Sequence, residues 1–352
     1  MSQSSKSPSP KQSAQARRPA PAAAPPPVPT SADVARLAGV SRATVSYVLN
    51  NAEAVRISEP TRQKVREAAE ELGYVPHAAA RSLRAGHTRI VLMPTSHVPV
   101  GPLYSAFLNE LQWALRRLDY TVVQYGSLGL TGDEAARAWA ELRPVAVISL
   151  GEITLSAQNV STLKRAGARA VITLGPAGVP GAHALVMDQA EVGAEAAAHL
   201  LERGRRRIGV VVPEEEGLEL FSRPRLAGAR SVAGTAIEPL PLAYTEESAA
   251  ALAARWRSLG LDAVFAYNDE YAMLLMRALL DAGLRVPEDV AVMGADDLLI
   301  GRLLRPRLST VQLELPTGDH LASLVDRAVR EPSEITQRHD LMGAAAIQRE
   351  ST

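Results

Sequence analysis

The sequence predicts two kinds of structure in one chain: a small all-α domain, followed by a larger α/β region of two doubly wound lobes. Two patterns predict them. Residues 30–75 contain three short helical segments joined by turns. From Arg89 onward, short apolar runs alternate with amphipathic helical segments, as in doubly wound α/β folds.

The distribution of charge separates the same two regions. Residues 1–89 contain 13 Lys and Arg but 6 Asp and Glu, a net charge of +7, although the whole chain has 38 of each. A basic end on an otherwise acidic chain indicates that this end contacts a polyanion. The chain has no cysteine, which excludes a disulfide framework, a zinc–thiolate site and a thiol nucleophile. The chain also lacks a long apolar run and an apolar N-terminal stretch, so we expect no membrane span and no secretion signal.

Residues 1–29 are rich in Pro, Ala and Ser and are expected to form a disordered tail. All four charges of the tail are basic, which leaves two interpretations open: a solvated leader, or a loose electrostatic arm for DNA.

The all-α domain begins at Thr30 or Ser31, either of which is a suitable N-cap for a first helix that ends at Gly39. After a Gly-Val-Ser turn, a second short helix covers about residues 42–50. Pro60 suits the first turn of a third helix, which ends at Gly73. Two helices joined by such a short turn are typical of a compact helical domain.

Residues 77–85, with the sequence HAAARSLRA, have high helix propensity but almost no apolar face. A helix this short is not stable alone in water, because helix nucleation is unfavourable. We therefore expect the segment to fold only against another surface.

The α/β region contains seven apolar, β-branched runs that are typical of strands buried on both faces. They cover residues 89–94, 120–126, 144–151, 168–175, 206–213, 262–268 and 289–296. Helices are predicted at 103–118, 133–142, 157–166, 190–203, 246–259 and 270–282. The pattern predicts one lobe at about 88–187 and another at about 188–315, with the segment after Pro316 crossing between them.

Seven motifs follow one another through the first part of the chain. They are Asp33-Val34-Ala35, Gly39-Val40-Ser41, Thr44-Val45-Ser46, Asn50, Thr61-Arg62, Leu72-Gly73-Tyr74-Val75-Pro76 and Ala80-Arg81-Ser82-Leu83. Their order and spacing resemble those of the lactose-repressor (LacI/GalR) family of bacterial transcription regulators. The resemblance continues through the α/β region.

This resemblance implies a helix-turn-helix DNA-binding domain at 30–75, a hinge helix at 76–87 and a periplasmic-binding-protein-like effector-binding and dimerisation domain at 88–352. It implies a repressor that binds a palindromic operator as a homodimer and is controlled by a small ligand in the cleft between the lobes. The implied partners are double-stranded DNA, a second copy of the chain and a sugar-like effector, with no cofactor and no membrane. The implied location is the bacterial cytoplasm, at the nucleoid.

The second helix of the domain carries the residues that the resemblance assigns to DNA. A helix that enters the major groove needs short side chains at its leading end. Arg42 can pair with guanine and Ala43 can contact a thymine methyl group, whereas Tyr47 departs from the arginine common at its position and leaves the operator sequence open. Side chains suited to phosphate contacts are those of Ser41, Thr44, Ser46 and Asn50.

The hinge segment carries a second set of implied contacts. Leu83 matches the leucine that enters the minor groove and kinks the duplex. His77, Ala80 and Arg84 match nearby groove contacts. The alternative for Leu83 is packing against its own domain.

In the lobes, the resemblance implies a polar and aromatic pocket formed by Tyr104, Arg225, Tyr244, Asn268 and Asp296. Each residue also has a plain structural interpretation. Arg225 suits an internal ion pair, Asp296 suits a turn, and both tyrosines suit packing.

Three further features of the lobes bear on the ligand. Asp269, beside Asn268, is interpreted first as a helix N-cap. Gly175 stands where many family members have a sugar-binding aspartate, so the ligand is a sugar, another polar molecule or absent. The loop 212–224, with the acids Glu214, Glu215, Glu216 and Glu219, is interpreted as solvated.

Two other classes of protein compete with a regulator. An enzyme is disfavoured, because the chain has no Gly-rich dinucleotide or phosphate loop after a strand, no Gly-x-Ser-x-Gly and no metal spacing among its seven histidines. We therefore expect no catalytic residue and no metal site. A transported-solute binding protein would share the two lobes but would need a secretion signal and no residues 30–85.

Overall fold

A computed structural model of the chain describes residues 28–49, 56–75, 82, 86–95, 101–127, 129–149, 155–174, 178–333, 335–340 and 343–352. The chain forms two compact units, Met1–Ala80 and Arg81–Thr352. Apart from residues 28 and 29, the predicted N-terminal tail lies outside the described residues.

The first unit contains three helices, α1 Ser31–Ala38, α2 Arg42–Leu49 and α3 Glu59–Glu71. Thr30 is the N-cap of α1, and its hydroxyl and backbone N–H both donate to Asp33. Gly39 ends α1 in the left-handed conformation, which favours glycine because it has no side chain. The apolar faces of the three helices meet in one small core.

The second unit alternates strands and helices. In chain order they are β1 Ile90–Thr95, α4 Pro102–Arg117, β2 Thr121–Gly126, α5 Gly132–Glu141, β3 Ala146–Ser149, α6 Ala157–Arg165, β4 Ala170–Leu174, β5 His183–Val186, α7 Gln189–Glu202, β6 Ile208–Pro213, α8 Glu219–Ala233, β7 Ile237–Leu242, α9 Glu246–Leu259, β8 Ala263–Phe265, α10 Asp269–Asp281, β9 Ala291–Ala295, β10 Ser309–Glu314, α11 Gly318–Arg330, β11 Gln337–Asp340 and β12 Gly343–Ile347. Short 3-10 helices cover Gly234–Ala236 and Leu299–Leu303.

These strands form two sheets, one in each lobe. The first sheet has the order β11-β5-β4-β3-β1-β2, and the second has the order β12-β10-β9-β8-β6-β7. All pairings are parallel except that of β12 with β10. The predicted fold class, a small helix-turn-helix domain followed by an α/β region of two doubly wound lobes, is confirmed.

Three connections run between the lobes. The chain leaves the first lobe after β5, returns after β10 to form α11 and β11 on the first lobe, and crosses again to form β12 on the second. Leu321 and Val325 of α11 pack in the same core cluster as Leu111 and Leu115 of α4. A change in the relative orientation of the two lobes would therefore alter three connecting segments rather than one.

The predicted loop at 212–224 is wrong in its second half, because α8 begins at Glu219 and contains Pro224. Proline disfavours a helix interior, since it lacks a backbone donor and clashes with the preceding turn. Here tertiary packing outweighs that preference, because Leu226 and Ala229 pack in one core cluster with Val192 and Ala196 of α7.

Two glycines allow α7 and α8 to cross at very close range. A β-carbon at Gly193 of α7 would overlap the carbonyl of Arg225, and one at Gly228 of α8 would overlap the carbonyl of Ala190. The backbone that carries Arg225 is therefore pressed directly against α7, and its position depends on both glycines.

Substitution Gly228→Ala is expected to lower the free energy of unfolding by about 1–3 kcal/mol, the usual effect of adding a methyl group to a packed contact. Urea denaturation measures the change. Gly126→Ala is the matched control, since a β-carbon there meets no heavy atom within 4 Å. Equal stability of the two variants would contradict the close crossing.

Candidate functional site

A cavity of about 430 Å³ opens between the two lobes of the second unit. Residues 101–105 at the start of α4, together with Met187, form its first-lobe wall. The second-lobe wall includes residues that follow β6, β8 and β9. Carboxyl ends of parallel strands are where open α/β sheets bind ligands, and the volume lies within the range of about 300–1,000 Å³ for small-molecule sites.

Arg225 supplies a buried cation to this cavity. Its Nε donates to Gln189 Oε1 at 2.9 Å, and its Nη1 donates to the carbonyl oxygen of Tyr267. Its Nη2 lies 3.9 Å from Asp296 Oδ1, and the guanidinium carbon lies 4.9 Å from the centroid of the Tyr267 ring. Arg225 thus lines the cavity and also forms an internal ion pair, which are the two arrangements that the sequence left open.

Asp296 directly follows β9 and has a φ of 99°, in the region that non-glycine residues rarely adopt. Its backbone N–H donates to Val311 of β10 at 2.9 Å, so the carboxylate is held at the cavity by a strained turn. Burial raises the pKa of Asp296, whereas Arg225 and a hydrogen bond from Asn268 oppose that rise.

Asn268 lines the cavity and is also the N-cap of α10, since its Oδ1 accepts a hydrogen bond from the backbone N–H of Tyr271 at 3.1 Å. The N-cap interpretation of Asp269 is therefore wrong. Asp269 is the first helical residue, and its fully buried carboxyl accepts from Thr310 Oγ1 at 2.6 Å and from the N–H of Leu298 at 2.7 Å. Because its backbone is already helical, its side chain points to the start of β10 and to the turn after β9 instead of capping α10.

Tyr104 and Tyr244 line the cavity from opposite lobes. The ring of Tyr104 meets Phe221 edge-on across the cleft, with centroids 6.3 Å apart. The ring of Tyr244 lies 5.0 Å from that of Tyr271, and Tyr244 is 47% exposed. Both tyrosines therefore pack against other rings while leaving surface to the cavity.

Several lining residues were not predicted from the sequence. They are Gln189, Glu215, Phe221, Tyr267, Glu270 and Tyr271. The available signal was position, because Glu215 follows β6 closely, and Tyr267 and Glu270 flank the predicted Asn268-Asp269 pair.

The interpretation of the acidic run as a solvated loop is wrong for Glu215. Its carboxylate accepts a hydrogen bond from the hydroxyl of Tyr271 and another from the backbone N–H of Tyr244 at 2.6 Å. These two donors are contributed by distant segments of the chain, so the sequence alone did not indicate them. Glu214, Glu216 and Glu219 are exposed.

In the first unit, α2 presents a narrow exposed face. Arg42, Ala43 and Tyr47 are exposed, whereas Val45 and Val48 are buried against the other two helices. The hydroxyl of Ser41 accepts from the backbone N–H of Thr44 at 3.1 Å and lies 2.9 Å from the Thr44 hydroxyl, so both residues also form the start of α2.

Ser46 is half-buried on the same helix. The remaining residues assigned to DNA by the resemblance, Asn50, His77, Ala80, Leu83 and Arg84, lie outside the described residues, as does Gly175.

Comparison with known proteins decides the family. Residues 30–77 match the family described as bacterial regulatory proteins, lacI family, and residues 197–352 match the periplasmic binding protein-like domain. The chain is 31% identical over 322 residues to the HTH-type transcriptional regulator CelR of Thermobifida fusca, across 87% of this chain and 94% of that protein. The chain belongs to the LacI family of bacterial regulatory proteins. It is also 29% identical over 293 residues to the HTH-type transcriptional repressor PurR of Vibrio cholerae, across 80% of this chain and 85% of that protein.

Solved structures of similar proteins have the same fold as this chain. A CelR–cellobiose complex matches with a TM-score of 0.61 at 28% identity, over 92% of this chain and 100% of that chain. The lac repressor dimer bound to operator and the anti-inducer ONPF matches with a TM-score of 0.74 at 22% identity, over 92% and 98%, which is a likeness of fold.

This LacI-family chain is therefore a DNA-binding transcriptional regulator, and its relatives are regulators rather than enzymes. None of the helices in the described ranges has the length and the hydropathy of a transmembrane segment. The same residues contain no cluster of three or more potential metal ligands.

The buried carboxyl of Asp269 gives a pH-dependent prediction. Burial raises its pKa to about 7, against the opposing hydrogen bonds from Thr310 and Leu298. The folded protein therefore binds a proton that the unfolded chain has lost above about pH 4. Between about pH 4 and 7 this group lowers the free energy of unfolding as pH rises, by at most about 1.4 kcal/mol per pH unit.

We expect Asp269→Asn to remove this contribution. Relative to the variant, the native protein should lose stability between pH 5 and pH 7.5 in urea denaturation. Substitution of the exposed Asp281 by Asn controls for the loss of a surface carboxylate. A native-minus-variant difference that stays constant or grows with pH would contradict the assignment.

Proposed function

We propose that this LacI-family chain is a repressor that binds a palindromic operator as a homodimer, under the control of a small polar ligand in the interlobe cavity. Residues 30–75 are the DNA-binding domain, 76–87 the hinge helix and 88–352 the effector-binding and dimerisation domain. The protein acts in the bacterial cytoplasm, at the nucleoid. The observation that carries the proposal is the narrow exposed face of α2, in a family of DNA-binding regulators.

In this proposal α2 enters the major groove. Small side chains at its start let the backbone approach the bases, so Arg42 can pair with guanine and Ala43 can contact a thymine methyl group. Tyr47, which is 42% exposed, lies on the same helix and contacts a base edge or the sugar–phosphate backbone. The phosphate contacts are assigned to Ser41, Thr44, Ser46 and Asn50, and the minor-groove contacts to His77, Ala80, Leu83 and Arg84.

A homodimer supplies the two-fold symmetry that a palindromic operator requires. The second lobe offers a surface for it, an apolar patch formed by Leu299, Ile300 and Leu303. These side chains are 70%, 50% and 70% exposed and belong to one 3-10 helix. Burial of such a patch against its own copy removes apolar surface from water.

The effector is a sugar or a related metabolite. The aromatic rings of Tyr104 and Tyr244 suit the apolar faces of a sugar ring, and the polar groups of Arg225, Asn268 and Asp296 suit its hydroxyl groups. Because a relative binds cellobiose in its solved structure, cellobiose is the first ligand to test. A ligand in the cavity contacts both lobes, so it favours one relative orientation of the lobes over others. That change in orientation alters the affinity for the operator.

Selection from random duplexes by the full-length protein tests the proposal. The expected result is one enriched palindrome, whose binding weakens steeply as salt concentration rises. Failure to enrich any duplex sequence at low ionic strength, with or without cellobiose, would overturn it.

Arg42→Ala is expected to weaken binding to the selected palindrome by about 1–3 kcal/mol, or roughly 5- to 150-fold, and to relax specificity at one base pair. Fluorescence anisotropy with selected and scrambled duplexes measures both effects. Arg66→Ala, which removes the same charge from α3, is the control. Equal weakening on both duplexes would mean that Arg42 contacts phosphate only.

The double variant Leu299→Glu/Leu303→Glu is expected to be monomeric in analytical ultracentrifugation at micromolar concentration, since two charges on each copy would be buried without partners. Ile335→Glu, at a side chain that is 75% exposed outside the patch, should remain a dimer. A double variant that keeps the dimer mass would show that another surface joins the copies.

A further inference from the structure

More acidic than basic side chains line the cavity. Three are carboxylates, Glu215, Glu270 and Asp296, and one is a guanidinium, Arg225. Arg225 and Asp296 are 6% and 10% exposed and lie 3.9 Å apart, so they offset each other. This leaves Glu215 and Glu270 as the net charge of the cavity.

Arg225 already has partners inside the protein. Two of its five N–H donors bond Gln189 and the carbonyl oxygen of Tyr267, and its charge is offset by Asp296. A ligand carboxylate or phosphate would have to compete with these partners and would also be repelled by two further carboxylates. The cavity therefore disfavours anions.

Within the described part of the chain, neither Glu215 nor Glu270 forms an ion pair. The partners of Glu215 are neutral donors on Tyr244 and Tyr271. Burial raises the pKa of Glu270, an amide hydrogen bond from Asn268 opposes the rise, and the charge of Asp296 adds to it. A partly buried carboxylate without a cation is unfavourable in the free protein, so its presence at a cavity requires another explanation.

Two tyrosine rings lie beside these carboxylates. The centroids of Tyr244 and Tyr271 are 5.0 Å apart, and the Tyr271 hydroxyl donates to Glu215. Glu270 is close enough to Tyr244 for its charge to raise the pKa of that phenol, after the larger effect of burial. Aromatic faces attract cations through the ring quadrupole, and neighbouring carboxylates strengthen that attraction.

Glu270 also lies at the junction of the two lobes. A β-carbon built on Gly101 would lie 3.4 Å from Oε2 of Glu270. The same β-carbon would lie 3.7 Å from the side-chain nitrogen of Asn268. Gly101 is the N-cap of α4 in the first lobe. A positive group bound to Glu270 would therefore lie between the lobes and contact both.

We propose that the cavity selects a hydroxylated organic cation of the amino-sugar class over neutral and anionic sugars. Glu270 and Glu215 supply the opposite charge, Tyr244 and Tyr271 supply the aromatic faces, and Asn268 and Asp296 bond the hydroxyl groups. This inference rests on the proposed role of the cavity as the effector site.

A set of β-1,4-linked disaccharides that differ in charge tests the inference. Chitobiose carries two amines, N,N′-diacetylchitobiose carries the same nitrogens as neutral amides, cellobiose is neutral and cellobionate is anionic. Isothermal titration of the full-length protein at pH 6.5 should give chitobiose an affinity at least tenfold above that of each of the others. Added salt should weaken chitobiose binding and leave cellobiose binding unchanged.

Glu270→Gln should reduce chitobiose affinity at least tenfold and change cellobiose affinity less than threefold. Glu216→Gln, an exposed acid of the same loop as Glu215, is the control and should change neither. The free Glu270→Gln protein should also melt at a higher temperature, because it no longer carries a partly buried carboxylate without a cationic partner. A merely structural Glu270 would instead lower the melting temperature when substituted.

The inference is overturned if N,N′-diacetylchitobiose, cellobiose or cellobionate binds as tightly as chitobiose, if chitobiose does not bind at millimolar concentration, or if Glu270→Gln binds it normally. Operator binding distinguishes this failure from failure of the proposed function. A protein that binds its palindrome and responds to a neutral sugar keeps its regulatory role and loses only the charge selection. A protein that binds no duplex under any condition loses the proposed function itself.

Discussion

The buried guanidinium of Arg225 is the interaction on which the cavity depends. It joins α8 to the start of α7 through Gln189, to the end of β8 through the Tyr267 carbonyl oxygen, and to the turn after β9 through Asp296. A buried cation with one partner removed is strongly unfavourable, so these segments are held together as a group. The glycine crossing of α7 and α8 acts on the same residue, because it fixes the backbone from which the guanidinium extends.

This cluster lies where the lobes meet, which relates the polar chemistry to regulation. The polar walls belong mainly to the second lobe, and the first lobe contributes the start of α4 and Met187. A bound ligand must therefore contact two bodies that three connections of the chain also join. Small differences in lobe position between the free and bound states are then sufficient to bias a two-state regulator.

The sequence was sufficient for the parts that local pattern determines. All seven strands predicted in the α/β region form, and the six helices predicted there agree with the structure to within one residue at their ends. It was insufficient where distant residues decide. The cap of α10 is Asn268 and not Asp269, because the carboxyl of Asp269 bonds Thr310 at the start of β10 and Leu298 in the turn after β9. Glu215 lines the cavity because Tyr244 and Tyr271 bond it, and α8 continues through Pro224 because α7 packs against it. The sequence predicted only that the segment after Pro316 crosses between the lobes, and it did not predict the helix α11 or the strand β11 within that segment.

The central claim is that the cavity and the DNA-binding domain are thermodynamically coupled. The most direct test measures operator affinity with and without saturating effector, and effector affinity with and without operator. Coupling requires both affinities to change by the same factor, and about 5- to 150-fold is typical of such systems. An effector that fills the cavity and leaves operator affinity unchanged would contradict the account.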